Sequence, residues 1–324
     1  MIDSYGRKID YIRFSITDKC NYRCKYCMPE DGVLDIGHQS VLRYEELLAV
    51  AKSAVSLGIT KFRITGGEPL VRRGVVDFIK KLKEIEGVKE VAMTTNGSLL
   101  KDYAKDLKEA GLDRVNVSLD TLRYDRFKEI TRTGNLEDVY AGINEAVKEG
   151  LTPIKINVVV MKGFNEDEVM DFVQMTLQHP FEVRFIELMP FSGNVSLNGS
   201  LISNEEIKKM LPLLKPLEIN DGVARLYTYP QAKGRIGFIS PLSSCFCDKC
   251  NKVRVTSDGK LKTCLHSNKE IDLNKALQEA EKTAFRDLSP VIEEIKKAIL
   301  SKERRHSISP GKAVTKRNMN SIGG

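Results

Sequence analysis

Three thiols stand within eight residues in Cys20-Asn21-Tyr22-Arg23-Cys24-Lys25-Tyr26-Cys27. Gaps of three and two residues let one loop wrap three thiolates around a single metal centre. Three protein ligands leave one iron of a four-iron cluster open, where a small molecule can be coordinated and changed. Fully ligated clusters mostly carry electrons. Spacing alone also leaves zinc open, with a fourth ligand brought from elsewhere because no histidine lies nearby. Three neighbouring thiols cannot all pair among themselves, which counts against disulfides.

A second set follows in Cys245, Cys247, Cys250 and Cys264. Residues 253–256 read as a strand, 257–260 as a turn and 261–263 as the return strand. Such a hairpin carries Cys264 back to the Cys247/Cys250 loop. Cys247, Cys250 and Cys264 are taken as ligands and Cys245 as the spare, because Cys247 and Cys250 have the tighter spacing. Two chemistries remain open: a second cluster with three protein ligands, or structural zinc with Cys245 or His266 as fourth ligand.

The elements that must position these loops show in the periodicity. Strands are predicted over 11–16, 61–64, 91–94, 114–118, 154–161 and 181–188, separated by helical stretches that include 44–57, 75–85, 99–110 and 166–178. Six strands alternating with helices predict a parallel sheet with right-handed crossovers. Periodicity does not separate an open sheet from a partial barrel. In either, ligands gather at the C-terminal strand ends. Cys20, Cys24 and Cys27 follow the first strand there, and Thr65-Gly66-Gly67-Glu68-Pro69 follows the second. Adjacent glycines let backbone approach a ligand and donate N–H groups, although such a pair also suits an ordinary turn. Polar groups at Thr94, Thr95, Asn96, Ser118 and Asp120 line the next two ends. After 191 the pattern changes to a Gly/Asn/Ser-rich loop, a short helix over 204–211, a link over 215–221 and strands over 224–228 and 234–239. The expected domains are residues 1–200, a β-rich extension over 201–310 carrying the second cysteine set, and a flexible tail over 311–324 ending in Gly-Gly.

The lead-in Arg13-Phe14-Ser15-Ile16-Thr17-Asp18-Lys19, the three-cysteine loop and Met28-Pro29 resemble the radical S-adenosylmethionine (SAM) superfamily. The resemblance implies a partial (β/α)6 barrel and SAM on the open iron of a [4Fe-4S] cluster. Tyr26 would pack on adenine, and Gly67 would belong to the motif that holds the amino group of SAM. Both cysteine sets, together with Glu187-Leu188-Met189-Pro190 and the terminal Ile322-Gly323-Gly324, are similar over the whole chain to the GTP 3′,8-cyclase family of molybdenum cofactor biosynthesis. Membership implies a lyase with two [4Fe-4S] clusters. Its 5′-deoxyadenosyl radical takes the 3′ hydrogen of GTP, giving (8S)-3′,8-cyclo-7,8-dihydroguanosine 5′-triphosphate. The runner-up is another radical SAM enzyme with an auxiliary cluster, such as a peptide-modifying one.

Carried onto matching positions, Tyr26, Gly67, Ser118 and Met189 would contact SAM. Arg13, Arg63, Thr94, Lys155, Lys252 and Arg254 would contact GTP, with Lys61 and Arg184 as weaker candidates. Where the family usually has Arg-x-Arg, this chain has Lys252-Val253-Arg254, which keeps the charge but loses one bidentate fork. Gly323 and Gly324 would thread into the site and serve the later chemistry. An electron donor and the downstream cyclic pyranopterin monophosphate synthase are the implied functional partners, and a homodimer is kept as an expectation.

Composition sets the outer bounds. The 324 residues hold 51 basic and 44 acidic side chains, a net charge of +7, and no Trp. With no basic run interleaved with aromatics, an anionic small molecule suits the charge better than nucleic acid. No apolar run approaches a membrane span and the N-terminus carries no apolar signal core, so a cytoplasmic location is expected. Seven cysteines in that reducing compartment read as metal ligands.

Overall fold

The computed structural model of the protein describes residues 1–32, 40–191, 199–308 and 315–323. Six strands run parallel in chain order: β1 (Tyr11–Ser15), β2 (Lys61–Thr65), β3 (Glu90–Thr95), β4 (Arg114–Ser118), β5 (Lys155–Val160) and β6 (Glu182–Glu187). The connecting helices are α1 (Tyr44–Ser56), α2 (Val75–Lys83), α3 (Leu100–Glu109), the pair α4 (Tyr124–Thr131) and α5 (Leu136–Lys148), and α6 (Val169–Gln178). Local chemistry explains their limits. At the start of α1 the Glu46 carboxylate takes the Arg43 amide at 2.6 Å, and after it Gly58 turns the chain at φ +83°.

The strands alternate, with Ala92, Val159 and Ile186 as apolar exceptions on the polar side. Ile12, Phe14, Phe62, Ile64, Val91, Met93, Val115, Val117, Ile156 and Val158 are buried on the side that meets the helices. The intervening residues are Arg13 and Ser15, Arg63 and Thr65, Thr94, Asn116, Lys155 and Asn157. A closed barrel packs its interior with branched apolar side chains. Here the apolar faces point outward to the helices and the interior is polar, which marks it as a binding cavity.

The C-terminal region adds strands to both edges of this sheet. After α7 (Asn204–Lys209), the segment expected as a link is instead edge strand β7 (Lys215–Asp221), paired antiparallel with β8 (Ala224–Thr228). β8 pairs with β9 (Arg235–Ile239), which lies parallel to β6. At the other edge, β10 (Lys252–Val255) lies parallel to β1 and opens the antiparallel run β11 (Lys260–Lys262) and β12 (Ile271–Asp272). The result is one twelve-stranded sheet in the order β12-β11-β10-β1-β2-β3-β4-β5-β6-β9-β8-β7, not closed on itself. Strands on both sides of residue 200 therefore share one sheet. Helices α8 (Asn274–Glu281) and α9 (Ser289–Leu300) pack together, with α9 against α1.

The tail departs from expectation. Residues 315–323 are folded against the sheet and end in the short helix α10 (Met319–Ile322), with Thr315, Asn320 and Ile322 buried. Arg317 supplies the reason. Its guanidinium meets Asp258 at 2.9 Å and Glu270 at 2.7 Å, tying the tail to the turn after β10 and the approach to β12. Gly324 lies outside the described residues, as do 33–39, 192–198 and 309–314.

Candidate active site

Register places three guanidiniums side by side, because Arg13 of β1 is opposite Arg254 of β10 on one side and Arg63 of β2 on the other. Lys252 and Tyr11 are opposite each other one pleat below, and both the Lys252 ammonium (5.2 Å) and the Arg63 guanidinium (5.6 Å) lie over the Tyr11 ring. Burial, then the charge of Arg254, pulls Arg13 down to about 9. Burial, opposed by Tyr11 and assisted by the charges of Arg13, Arg114 and Arg184, brings Arg63 to about 9 as well. Burial brings Arg254 to about 10, with Cys264, Cys250 and Tyr11 working against it. Lys252 drops to about 7 through burial and then Arg13 and Arg63. Four neighbouring cations, two buried and two half-buried, depress one another, a repulsion that a bound polyanion would relieve.

Around them, buried polar atoms at Arg63 Nε, Thr94 Oγ1, Asn116 Nδ2 and Asn157 Oδ1 have no hydrogen-bond partner among the described residues. They line β2 to β5 at neighbouring levels, as a ligand-filled interior requires. Lys155 sits apart from the cation group. It shares the buried Glu182 carboxylate with Arg184, at 3.5 Å and 2.5 Å. Asn157 was not a sequence candidate, yet its signal was present: an amide breaks the apolar run Ile156, Val158, Val159, Val160.

The first cysteine loop leaves the top of β1. Cys20, Cys24 and Cys27 are free thiols within electrostatic reach of one another. Burial lifts Cys20 to about 11 and Cys24 well above the usual thiol value, and burial with the neighbouring Cys20 lifts Cys27 to about 12. Thiolates crowded in such a pocket are unfavourable unless a cation joins them, so the donor set fits an iron–sulfur cluster. The glycine pair permits a close backbone approach. A Cβ at Gly67 would fall on the Lys19 carbonyl, and the Gly67 amide already donates to Thr17 O at 2.7 Å. Gly66 and Gly67 let the β2 loop pack on the cluster loop itself. Glu68, lifted by burial to about 7, caps the assembly by accepting from Leu70, Thr95 and Asn96. The Tyr26 hydroxyl donates to Asp120 at 2.6 Å, and the Val159 amide donates to the other Asp120 oxygen. Ser118 lies at the end of β4 opposite Asn157, while the Met189 sulfur is 3.3 Å from His266 Nε2.

The second cysteine loop is hung from β6 and from the N-terminus. Glu187 accepts from the Leu242 and Ser243 amides at 3.0 and 3.1 Å. Arg7 donates to the carbonyl of Cys247 at 2.9 Å. The hairpin pairs Arg254 with Lys262, and Cys264 follows on its return strand. Burial alone would raise Cys250, but Lys302, Lys252 and Arg7 outweigh it and hold that thiol below its usual value. His266 is not in the thiol group. Its ring lies against Phe191 (5.0 Å between centroids) and burial pulls it down to about 3. The histidine gathered with the thiols is His306, which nothing local in the sequence singled out.

The tail joins the two ends of the cavity. The Asn320 amide reaches the Cys27 thiol, and the Arg254 guanidinium donates to Gly323 O at 2.5 Å. Gly323 holds φ +79°, and a Cβ there would sit 2.7 Å from the Thr65 methyl.

Among the described residues no helix is long and apolar enough to cross a membrane. The family described as Radical SAM superfamily matches residues 14–176, and the one described as Molybdenum Cofactor Synthesis C matches residues 181–308. The chain is 49% identical over 328 aligned positions to the "GTP 3′,8-cyclase" of Alkaliphilus oremlandii, covering all of both chains. It is 48% identical to the "GTP 3′,8-cyclase" of Peptoclostridium acidaminophilum, covering all of this chain and 98% of that one. Among solved structures, Streptococcus suis SuiB bound to S-adenosylmethionine shares the fold, with a TM-score of 0.61 at 14% identity over 90% of this chain and 68% of that one. The chain therefore belongs to the GTP 3′,8-cyclase family of the radical SAM superfamily.

Proposed function

We propose that this protein is a radical SAM lyase that cyclises GTP to (8S)-3′,8-cyclo-7,8-dihydroguanosine 5′-triphosphate, the first step of molybdopterin synthesis. One observation carries the substrate reading: Arg13, Arg63, Lys252 and Arg254 stand together on neighbouring strands β10, β1 and β2, Arg63 and Arg254 buried and the other two half-buried. A triphosphate brings about four negative charges and accepts many charge-assisted hydrogen bonds, so it relieves the repulsion these cations suffer.

The bound cofactors, SAM on a [4Fe-4S] cluster held by Cys20, Cys24 and Cys27, would supply the 5′-deoxyadenosyl radical that takes the 3′ hydrogen before the ribose closes on guanine C8. The chain's own residues bind and orient. Tyr26, fixed by Asp120, offers a ring for adenine. Because the Gly67 amide is committed to Thr17, its carbonyl is the group to meet the SAM ammonium. Ser118 and Met189 complete the SAM contacts, while Thr94 and Lys155 meet the nucleotide beyond the cation group. Cys247, Cys250 and Cys264 would hold the second cluster, which would supply a site that orients the guanine. Gly323 lies beside the cation group, and it and Gly324 would serve the later chemistry.

One electron is consumed in cleaving SAM and one, with a proton, in quenching the cyclised radical, so an external electron donor is part of the reading. The product's consumer, the cyclic pyranopterin monophosphate synthase, is the functional partner. A reducing cytoplasm suits seven free thiols. The homodimer rests on the family resemblance alone.

The test uses reconstituted protein with SAM, a low-potential reductant and GTP deuterated at C3′. Deuterium should appear in 5′-deoxyadenosine, together with a nucleotide product isomeric with unlabelled GTP. Undeuterated 5′-deoxyadenosine with no new nucleotide would overturn the assignment.

A further inference from the structure

The proposed second cluster uses three of the four C-terminal cysteines and leaves Cys245 over. The ligand atoms of Cys245, Cys247 and His306 all lie within 4.8 Å of one another. Tetrahedral zinc, with Zn–S about 2.3 Å and Zn–N about 2.0 Å, holds such atoms about 3.5–3.8 Å apart, so closure asks for about one ångström of side-chain motion.

The imidazole is already arranged for this. His306 Nε2 lies 3.1 Å from the Pro241 carbonyl, which can only accept. Nε2 therefore carries the proton and Nδ1 keeps the lone pair. Nδ1 is buried and has no hydrogen-bond partner among the described residues. A ring N–H held by a backbone carbonyl is the second interaction that orients metal-bound histidines.

The two backbone segments are also held together independently of any ion. The His306 amide donates to the Cys247 sulfur, and the Cys247 amide to Cys245 Sγ at 3.4 Å. Arg7 donates to the carbonyls of Cys247, Glu303 and Arg304 at 2.8–2.9 Å, fastening the His306 segment to the cysteine loop. Arg305 pairs with Asp248 at 3.0 Å and adds a further tie between the two segments. Cys245 is exposed, so an ion arrives directly from solvent.

We propose that Cys245, Cys247 and His306 form a site for one zinc-class divalent cation that shares Cys247 with the second cluster. The inference rests on the reading that Cys247, Cys250 and Cys264 hold that cluster. Ion and cluster then compete for one thiolate, and the ion-bound form is a state the protein enters only when the cluster is absent. On binding, two thiols release their protons, two sulfur–metal bonds and one nitrogen–metal bond form, water fills the fourth position, and no electron moves.

The test uses the full chain with Cys20, Cys24 and Cys27 changed to Ser, prepared free of clusters. It is titrated with zinc against a chromophoric chelator, and with cobalt to read tetrahedral absorption and sulfur-to-cobalt charge transfer. One ion per chain is expected. Cys245→Ser and His306→Gln should each weaken binding at least about a hundredfold, beyond the 10–100-fold typical of outer partners. Cys250→Ser and Cys264→Ser should leave it within about threefold. The opposite pattern overturns the site. If His306→Gln fails to fold by circular dichroism, the exposed Cys245→Ser carries the test. In a second arm, zinc loaded first should block uptake of four irons in the parent protein but not in Cys245→Ser; unhindered uptake in the parent overturns the competition. If Cys245→Ser itself takes up no cluster while Cys250→Ser and Cys264→Ser do, the cluster reading falls, and the zinc affinities still decide the ion site.

Discussion

Replacing Gly323 by Ala adds one methyl group at the point where the tail meets the barrel. The backbone there has φ +79° and ψ +100°, a combination that costs an L-residue about 1–3 kcal/mol. The new Cβ would stand 2.7 Å from the Thr65 methyl and 3.2 Å from Ser15 Cβ, against about 3.5–4.0 Å for carbon contacts. Thr65 and Ser15 are 2% and 0% exposed, so neither can withdraw without disturbing β1 and β2. Overpacking of this kind costs about 1–3 kcal/mol more. The sum, about 2–6 kcal/mol, corresponds to a shift of about 30-fold to 10⁴-fold away from the docked tail. The chain relieves it by undocking, which withdraws the Gly323 carbonyl from Arg254 and the Asn320 amide from Cys27. Since the buried faces of β1 to β6 are untouched, the melting temperature should stay within about 2 °C, and iron content should be unchanged. Cyclised nucleotide per chain should fall more than about tenfold, while SAM-derived 5′-deoxyadenosine continues uncoupled. Turnover within twofold of the wild type, with the Gly323→Ala chain intact by mass, would refute the claim that the docked tail takes part in the chemistry.

The remaining expectations are more local. Arg254→Ala should weaken GTP binding more than guanosine binding and leave SAM cleavage in place, as measured by equilibrium dialysis with GTP, GDP and guanosine; an equal loss for all three would show that Arg254 does not read phosphate. Glu68 should give stability a pH slope. Its folded value of about 7 lies above the ordinary value of 4.5, so between those values the folded state holds a proton that the unfolded state has lost. The stability this contributes is full below about 4.5 and falls as pH rises to about 7. Urea midpoints of apoprotein at pH 5 and 7.5 should therefore differ less in Glu68→Gln than in the wild type.

Legibility followed the range of the interactions. The predicted limits of β4 and β8 coincide with those observed, because alternation and flanking turns are local signals. The cysteine hairpin was legible for the same reason. The join of β9 to β6 and of β10 to β1 was not, since parallel pairing across so much chain leaves no periodic trace. β7 was read as a link because its run Lys215-Pro216-Leu217-Glu218 reads as polar connection, and an edge strand needs only one apolar neighbour. His306 was invisible for a sharper reason. It follows α8 and α9, and contacts far apart in the sequence, among them the Arg7 side chain from the other end of the chain, fasten its segment to the cysteine loop. The glycine pair was legible as a special backbone, but its contact with Thr17 and Lys19 was not, because a sequence does not say which neighbour comes close.

The position of Lys252 gains meaning from the fold. Register sets it at the base of β10 opposite Tyr11, one pleat below the three guanidiniums, with its ammonium over that ring. A lysine there is a point charge with rotatable donors, whereas the guanidiniums above present fixed forks. Of those, Arg254 already spends one donor on Gly323, and its remaining N–H groups are left for phosphate. Anion binding and tail docking are thereby coupled through a single side chain. A phosphate that fixes the Arg254 guanidinium also fixes the donor that holds the tail, and a docked tail pre-orients the guanidinium for phosphate. The coupling must be reciprocal, since both events bias the same rotamer. If the cation group holds the substrate as proposed, Arg254 would link that substrate's arrival to a segment whose Asn320 amide also touches the first cysteine loop.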